Sequence, residues 1–564
     1  MPSSSFFTLP GEGTLDQRSI RYTGSSTSGF PIEGSRRLVH LELEERALGM
    51  PNEHWISFAN GDSYTFLQAW KRVQSVASAL QSLGVVKGDR IVLFLGNSKE
   101  LVETWLAAHV IGAIVAPMNT ALRGETAAHQ VRLADPKVMV SDVRYLPQIE
   151  TAVHSAPDLG VLVLSGNMAE VPATFRLAKF QLFPYGQWSA TQAVPSPVDL
   201  EPWDHSSIAY TSGTTGASKA ILWNHFYTLY MAEASAHFLE IGSKDIVYTC
   251  LPLFHVNALN MHLVPTLMTG GKIAIGERFS VTSFWKEVSQ SKATRTNFLG
   301  SMVPLLLKKP VSDEERSHSV RKALTIPCPP EYYSQMQSRW GITPYEAYGL
   351  ADFGMLTWTP LGTTARQGSC GIADLNFECK LVNEHDEEVP TGTVGEFVAR
   401  PRFPWIASPG YWRDPTNTVN TWRNLWFHTG DYLKRDKEGW FYFVDRKKDA
   451  IRRRGENVST FEVEQAVLAH PNVVDCAAYA VPSDFLEDEI AVAVVVSPGA
   501  TRDPAEILKR AEPNLPYFAL PRYVRYVDAI PRTANGKPQK RPLRDLGLKG
   551  DIWDREAVGY VVSR

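Results

Sequence analysis

Along the chain, apolar positions at helical spacing alternate with short apolar runs. Residues 64–83 carry apolar side chains near the 3.6-residue period and predict a helix; the turn-like Lys87-Gly88-Asp89 follows, and 90–95 reads as a buried strand. The rhythm repeats, with helices expected over 99–111 and 125–133 and strands over 114–117 and 137–141. Such alternation predicts α/β winding over a parallel sheet. It returns after residue 200 with candidate strands at 246–248, 272–275 and 295–298, so two wound sheets are expected in one large lobe.

From Gly368 the pattern changes to short alternating strands with frequent turns, at 377–382, 395–399 and 439–444, which predicts a small antiparallel unit. The charged run Asp445-Arg446-Lys447-Lys448-Asp449 leads into a tail with strand-like runs at 477–481 and 490–496. A domain boundary is expected there. The fold class is therefore α/β: a large N-terminal lobe with two wound sheets plus a small β-rich unit, then a small α+β C-terminal domain.

Composition narrows the function more than the fold. At 564 residues the chain exceeds one ordinary domain of ~100 to 200 residues. Its formal charge of -3 and the lack of a basic stripe interleaved with aromatics argue against nucleic acid and for a small-molecule substrate. The five cysteines show no metal-ligand or CxxC spacing and read as reduced. Residues 1–34 lack a basic start and an apolar run of signal-peptide length, and the longest apolar stretch, 106–118, falls short of the roughly 20 residues of a membrane span. A cytoplasmic enzyme without a membrane span is expected.

The first chemical signal lies at Thr211, Ser212, Gly213, Thr214, Thr215, Gly216, Ala217, Ser218 and Lys219, after a strand ending at Tyr210 and before an expected helix. Glycines admit a polyphosphate close to the backbone, hydroxyls add donors and Lys219 adds positive charge. The loop is not G-x-x-x-x-G-K-[ST], because Lys219 is followed by Ala220. A solvated connector of the same composition is the bland alternative.

This loop resembles the phosphate loop of the adenylate-forming superfamily of acyl-CoA synthetases, luciferases and peptide-synthetase adenylation domains. Further matches follow in the family's order: Tyr345-Glu346-Ala347-Tyr348-Gly349-Leu350-Ala351-Asp352, His428-Thr429-Gly430-Asp431, the hinge region 445–457, and Asn535-Gly536-Lys537. Leu251-Pro252-Leu253-Phe254-His255 and Gly455-Glu456-Asn457-Val458-Ser459 look closest to the carnitine/crotonobetaine-CoA ligase branch.

The resemblance implies a carboxylate:CoA ligase that forms an acyl-adenylate and then a thioester. ATP and CoA are the implied co-substrates, Mg2+ the implied metal, and no tightly bound prosthetic group is expected. It implies a poorly structured segment at 1–37, an adenylating domain at 38–447, and a mobile C-terminal domain at 448–564 hinged at Lys448. Lys537 takes the place of the catalytic lysine. Tyr348 and Gly349 border adenine, Asp431 and Arg446 hold ribose, Asp352 binds the metal, and His255 gates the acyl pocket. CoA is expected to meet Arg452 and Gly455, with Arg453 and Arg454 as further cations. Asn257, Asn260, Asn297, Phe298, Gly300 and Met302 are expected to line the acyl pocket, a mixture suiting a compact acid with a polar function or a ring. A homodimer is compatible with the family.

Two positions depart from the family's pattern: Ala351 and Asp352 stand where Ser or Thr and then Glu are usual, removing a hydroxyl and shortening a metal-binding arm. The stretch 324–329 likewise replaces a usually Gly- and Ala-containing wall beside adenine. Two alternatives follow: a stand-alone adenylating enzyme that passes its acyl group to a carrier protein or amine, and a nucleotide-binding paralogue without catalysis.

Overall fold

The helix expected over 64–83 forms at Phe66–Ser82. It starts in a reciprocal cap, in which Gln68 N donates to Thr65 Oγ1 at 3.2 Å and Thr65 N donates to Gln68 Oε1 at 2.8 Å. Lys99–Ile111 begins at the Ser98 hydroxyl, which accepts from Leu101 N at 3.4 Å, and stops at Gly112, whose φ of 69° suits the left-handed terminus. The computed structural model describes residues 38–562 apart from 177–179, 211–217, 300–301, 327, 329, 364, 447–450, 454–455, 459, 483–487, 516–518 and 533–537.

Both wound sheets are present, each with seven strands. The first runs Gln181–Pro184, Val161–Ser165, Val138–Asp142, Arg90–Phe94, Ile114–Pro117, His205–Tyr210, Ala220–Asn224. The second runs Thr343–Tyr345, Lys322–Ile326, Arg295–Leu299, Ile246–Thr249, Lys272–Ile275, His54–Phe58, Ser63–Thr65. Pairing is parallel throughout except at one end of each, where Ala220–Asn224 and Ser63–Thr65 run antiparallel.

Strand alternation divides the first sheet's side chains between two cores. Ile91, Leu93, Val115 and Val140 pack with the helices Phe66–Ser82, Lys99–Ile111 and His225–Phe238, and with Ile56, Val247 and Ile273 of the second sheet. Val92, Phe94, Ile114 and Met139 face the helices Gly124–Ala134 and Leu146–His154. Each such side chain removed from water contributes about 1.5–3 kcal/mol.

The chain divides into two compact units. The first holds both wound sheets and the antiparallel pair Ala347–Leu350 and Gly354–Trp358. The second contains the hairpin Phe427–Arg435 and Trp440–Arg446, followed by a sheet of Val473–Pro482, Asp488–Val496, Tyr523–Tyr526 and Trp553–Asp554 with the helices Thr460–Leu468 and Pro504–Ala511. The boundary position 448 lies outside the described residues. Among the described residues no helix is long and apolar enough to cross a membrane.

One expectation about the order of elements fails. A strand, not a helix, follows the 211–219 loop: Ala220–Asn224 pairs with His205–Tyr210, placing Ala220 opposite Tyr210 and Ile221 opposite Ala209. Every residue of that strand is buried, and burial in the sheet decides its conformation. The helix starts one strand later, at His225, where Asn224 Oδ1 accepts from Tyr227 N at 2.7 Å. A hairpin frames the loop, so the helix-terminus argument for anion binding does not apply to it.

Candidate active site

The loop residues Thr211, Ser212, Gly213, Thr214, Thr215 and Gly216 lie outside the described residues, but both edges of the loop are fixed. Tyr210 Oη donates to the Gln130 carbonyl at 2.9 Å, Gln130 Nε2 donates to Ser218 Oγ at 3.0 Å, and His129 Nε2 lies 3.0 Å from the Ser218 carbonyl. One helix turn thus grips both ends.

Lys219 follows Ser218, and its Nζ sits 4.5 Å from the centroid of the Tyr411 ring. The hydroxyl of the same tyrosine donates to Asp352 Oδ1 at 2.5 Å. Tyr411 joins this corner because residues 410–412 run along Ala220–Asn224: Trp412 N donates to Ala220 O at 2.7 Å and Leu222 N to Gly410 O at 3.0 Å. The Asp352 carbonyl accepts from Ser408 N at 3.1 Å, tying that segment to Asp352 a second time. Burial raises the Asp352 carboxyl above its usual range, opposed by the Tyr411 hydrogen bond and by Lys219. Hydrogen bonds to an ionised group contribute about 1.5–3 kcal/mol, and a cation over an aromatic face about 0.5–2 kcal/mol.

The neighbouring Ala351 is held by its backbone. Its carbonyl accepts from Trp223 Nε1 at 2.8 Å and from Tyr227 Oη at 3.0 Å, while its methyl packs with Ile221, Trp223 and Met231. Tyr348 is buried and donates its N–H to Thr357 Oγ1 at 3.2 Å. Gly349 occupies an irregular step in the strand pairing, where a Cβ would meet the Gly354 carbonyl oxygen at 2.3 Å, so only glycine fits. Glu346 is also buried; desolvation pushes its carboxyl up to about 8, offset in part by Cys328 N, which donates to Oε2 at 3.2 Å.

In the second unit, Asp431 lies within the strand Phe427–Arg435, directly after Gly430 at φ 72°. Glu396 clamps that step: its Oε1 accepts from Gly430 N at 3.3 Å and its Oε2 lies 3.2 Å from His428 Nδ1. Asp431 and Arg446 are directly opposite in the hairpin. Arg452 lies on the short strand Ile451–Arg453 opposite Asn457. Arg453 departs from the expectation of a solvated cation: it is 1 % exposed and paired with Glu489 at 2.9 Å. Its place on the short strand Ile451–Arg453, beside the buried Ile451 and opposite Glu456, puts it in the interior. Lys448, Gly455 and Lys537 lie outside the described residues, as does Gly300.

The residues expected at the acyl pocket group unequally. His255 is half-buried, its ring 4.6 Å from that of Phe254. The segment before it is fastened by Asn97, whose Nδ2 donates to Leu251 O at 3.0 Å and Gly276 O at 2.9 Å and whose Oδ1 accepts from Leu253 N at 2.8 Å. Asn297 Nδ2 donates to Asn257 Oδ1 at 2.6 Å. Phe298, next along the strand, points to the other face and stacks with Trp340 at 5.7 Å. Met302 is buried at the start of Met302–Leu307, with Sδ 3.4 Å from Leu299 N.

His262 joins Asn257 and Asn297, although the sequence did not single it out. Its Nδ1 lies 2.7 Å from the Asn257 carbonyl and 3.4 Å from Asn297 Nδ2. It sits on the π turn Leu259–Leu263. Pro265 crowds the carbonyl four residues back, and that carbonyl, of Met261, accepts from Ser235 Oγ at 2.6 Å. Asn260 is on the same turn, fully buried.

A separate cavity of about 290 Å³ is lined by Tyr64, Arg72, Lys99, Ser165 and Tyr185 among others, and by none of the residues nominated from sequence.

The AMP-binding enzyme family model matches residues 43–412, and that of the AMP-binding enzyme C-terminal domain matches 462–537. A crotonobetaine/carnitine–CoA ligase of Salmonella enteritidis is 26% identical over 486 residues, covering 85% of this chain and 93% of that protein. Among solved structures, the anthranilate CoA ligase AuaEII in complex with anthranoyl-AMP superposes with a TM-score of 0.81 at 22% identity, covering 90% of this chain and 97% of that one. ATP-bound MatB from Rhodopseudomonas palustris gives 0.79 at 24% identity, covering 91% and 99%. These likenesses establish a shared fold over nearly the whole of those chains.

Proposed function

The chain belongs to the AMP-binding enzyme family, and from that premise we propose that it joins a carboxylic acid to coenzyme A through an acyl-adenylate. The observation that carries this reading is the corner where Tyr411 links the Asp352 carboxylate to Lys219 beside the phosphate loop. The names of its relatives and structural neighbours, which are CoA ligases, support the same reading.

In this reading the loop 211–216 and Lys219 receive the phosphates, Tyr348 and Gly349 border adenine, and Asp431 with Arg446 binds the ribose. Asp352 suits an ion held chiefly by substrate oxygens and waters, since magnesium commonly takes only one or two carboxylates. Bound there, Mg2+ would neutralise phosphate charge as pyrophosphate leaves. Lys537 bridges the carboxylate and the α-phosphate, acting by position and charge. The carboxylate oxygen bonds to phosphorus and the bond to pyrophosphate breaks; the CoA thiol then displaces AMP.

For the second step, residues 448–564 turn about Lys448, withdrawing Lys537 and bringing Arg452 and Gly455 toward CoA, with His255 at the mouth of the acyl pocket. We place the reaction in the cytoplasm. The deciding experiment separates the half-reactions. Lys537→Ala is expected to lower adenylate formation by roughly a hundredfold or more while conversion of a supplied acyl-adenylate to thioester persists. Equal loss in both steps would remove the assigned role.

A further inference from the structure

The Asn257, His262 and Asn297 side chains satisfy one another only in part. Asn297 Nδ2 is spent on Asn257 Oδ1 at 2.6 Å, and the His262 Nδ1 proton is spent on the Asn257 carbonyl at 2.7 Å. With Nδ1 as the donor, Nε2 keeps the lone pair. His262 Nε2 and Asn297 Oδ1 are both shut from solvent and have no hydrogen-bond partner among the described residues; the same holds for both amide atoms of Asn260. His262 and Asn260 are 0% exposed and Asn297 is 1% exposed. Buried polar atoms in native proteins are nearly always paired, and here two side chains in contact, His262 and Asn297, each keep an acceptor that a donor from a ligand can fill.

We infer that this cluster reads a hydrogen-bond donor on the acyl group, and that the preferred substrate is a compact carboxylic acid bearing a hydroxyl or amino substituent. The inference rests on the ligase reading above and names the substrate class of that same site. The imidazole is neutral at physiological pH, because burial pushes it down to about 4, against smaller raising contributions from the carbonyls of Asn257 and Thr296. It therefore offers no charge to a second carboxylate. A hydroxyl supplies one proton, which pairs one of the two acceptors. An amino N–H serves the two acceptors equally well. A methyl group of similar size leaves both atoms unpaired, and a quaternary ammonium carries no proton to give.

The test uses the full-length protein and kcat/KM for CoA-dependent pyrophosphate release. Matched acids are compared: hydroxy- and aminobenzoates against the corresponding methylbenzoates, and 3-hydroxybutanoate against 3-methylbutanoate. At least one donor-bearing acid is expected to exceed its methyl isostere by roughly a hundredfold or more. In His262→Phe and Asn297→Leu that ratio is expected to fall below about tenfold, with the methyl acid equally good or better. ATP affinity and thermal midpoint identify a variant that has lost its fold; the wild-type ratios then decide, together with the other variant. Equal kcat/KM within every wild-type pair means that the cluster holds a buried water only, and overturns the inference while leaving the ligase standing. A ratio that survives both substitutions also overturns it. No pyrophosphate release with any acid sinks the ligase reading and this inference together.

Discussion

Two polar clusters in the first unit differ in how completely the protein satisfies them. At the nucleotide corner, the Asp352 carboxylate takes the Tyr411 hydroxyl, Lys219 lies over the Tyr411 ring, and the Ala351 carbonyl takes two donors. At the acyl side, the hydrogen-bond chain from Asn257 stops at His262 Nε2 and Asn297 Oδ1. The first arrangement exists before any ligand arrives. The second leaves bonds for a ligand to complete. If the proposed roles hold, the part of the site that meets a common nucleotide is organised by the protein alone, whereas selection among acids uses groups whose partners lie on the acid.

The harshest way to break this comparison is to remove the carboxylate. Asp352→Asn is expected to lower carboxylate-dependent pyrophosphate exchange by roughly a hundredfold or more, through loss of the charged oxygen at the phosphate corner. The preference among acids in residual turnover should stay as in the wild type. An altered preference would mean that the two clusters are one network.

Removing only the tether should do less. Tyr411→Phe keeps the ring over Lys219 and deletes the bond to Asp352, so kcat/KM for ATP is expected to fall about tenfold, in line with about 1.5 kcal/mol for a hydrogen bond to a charged group. Conversion of supplied acyl-adenylate should change little. Unchanged ATP kinetics, measured across magnesium concentrations, would reduce Tyr411 to packing.

The smallest effect is expected from Glu346, which is buried beside the nucleotide motif without an opposite charge among its hydrogen-bond partners. Its carboxyl is raised in the folded protein, so the folded state binds the proton more tightly than the unfolded chain does. The resulting stability is fully present below the unfolded carboxyl range, near 4.5, and is lost as pH rises through about 8. Glu346→Gln should flatten this slope: thermal unfolding at pH 9 is expected to improve relative to wild type more than unfolding at pH 5. Parallel pH profiles for the two proteins would contradict the assignment.

The alternating helices were legible in the sequence because their period repeats over many residues, as in 64–83 and 99–111. Misreading 220–224 as helix has a physical cause: a short apolar run looks alike in both conformations, and pairing with His205–Tyr210 settled it. The motif residues Lys219, Asp352 and Asp431 were recognisable because each sits in a contiguous motif. The residues that hold these segments and their neighbours in place, Gln130, Asn97, Glu396 and Tyr411, carry no such local signal. Gly410-Tyr411-Trp412 offers only a turn glycine followed by aromatics, which many surface loops share.

The sequence by itself determined the winding of the lobe, the order of the motifs that resemble the family's phosphate, metal and ribose motifs, and the positions, Ala351 and Asp352, that depart from the usual pattern. Periodicity and contiguous motifs are properties of neighbouring residues, so one strand of letters contains them. Only the tertiary structure decided that Tyr411 reaches Asp352 across 59 positions and that His262 meets Asn297 across 35. Such contacts depend on which strand edge accepts a passing segment and on where a proline forces a helix turn wider. Those choices are made by packing, and packing is settled only when distant elements meet.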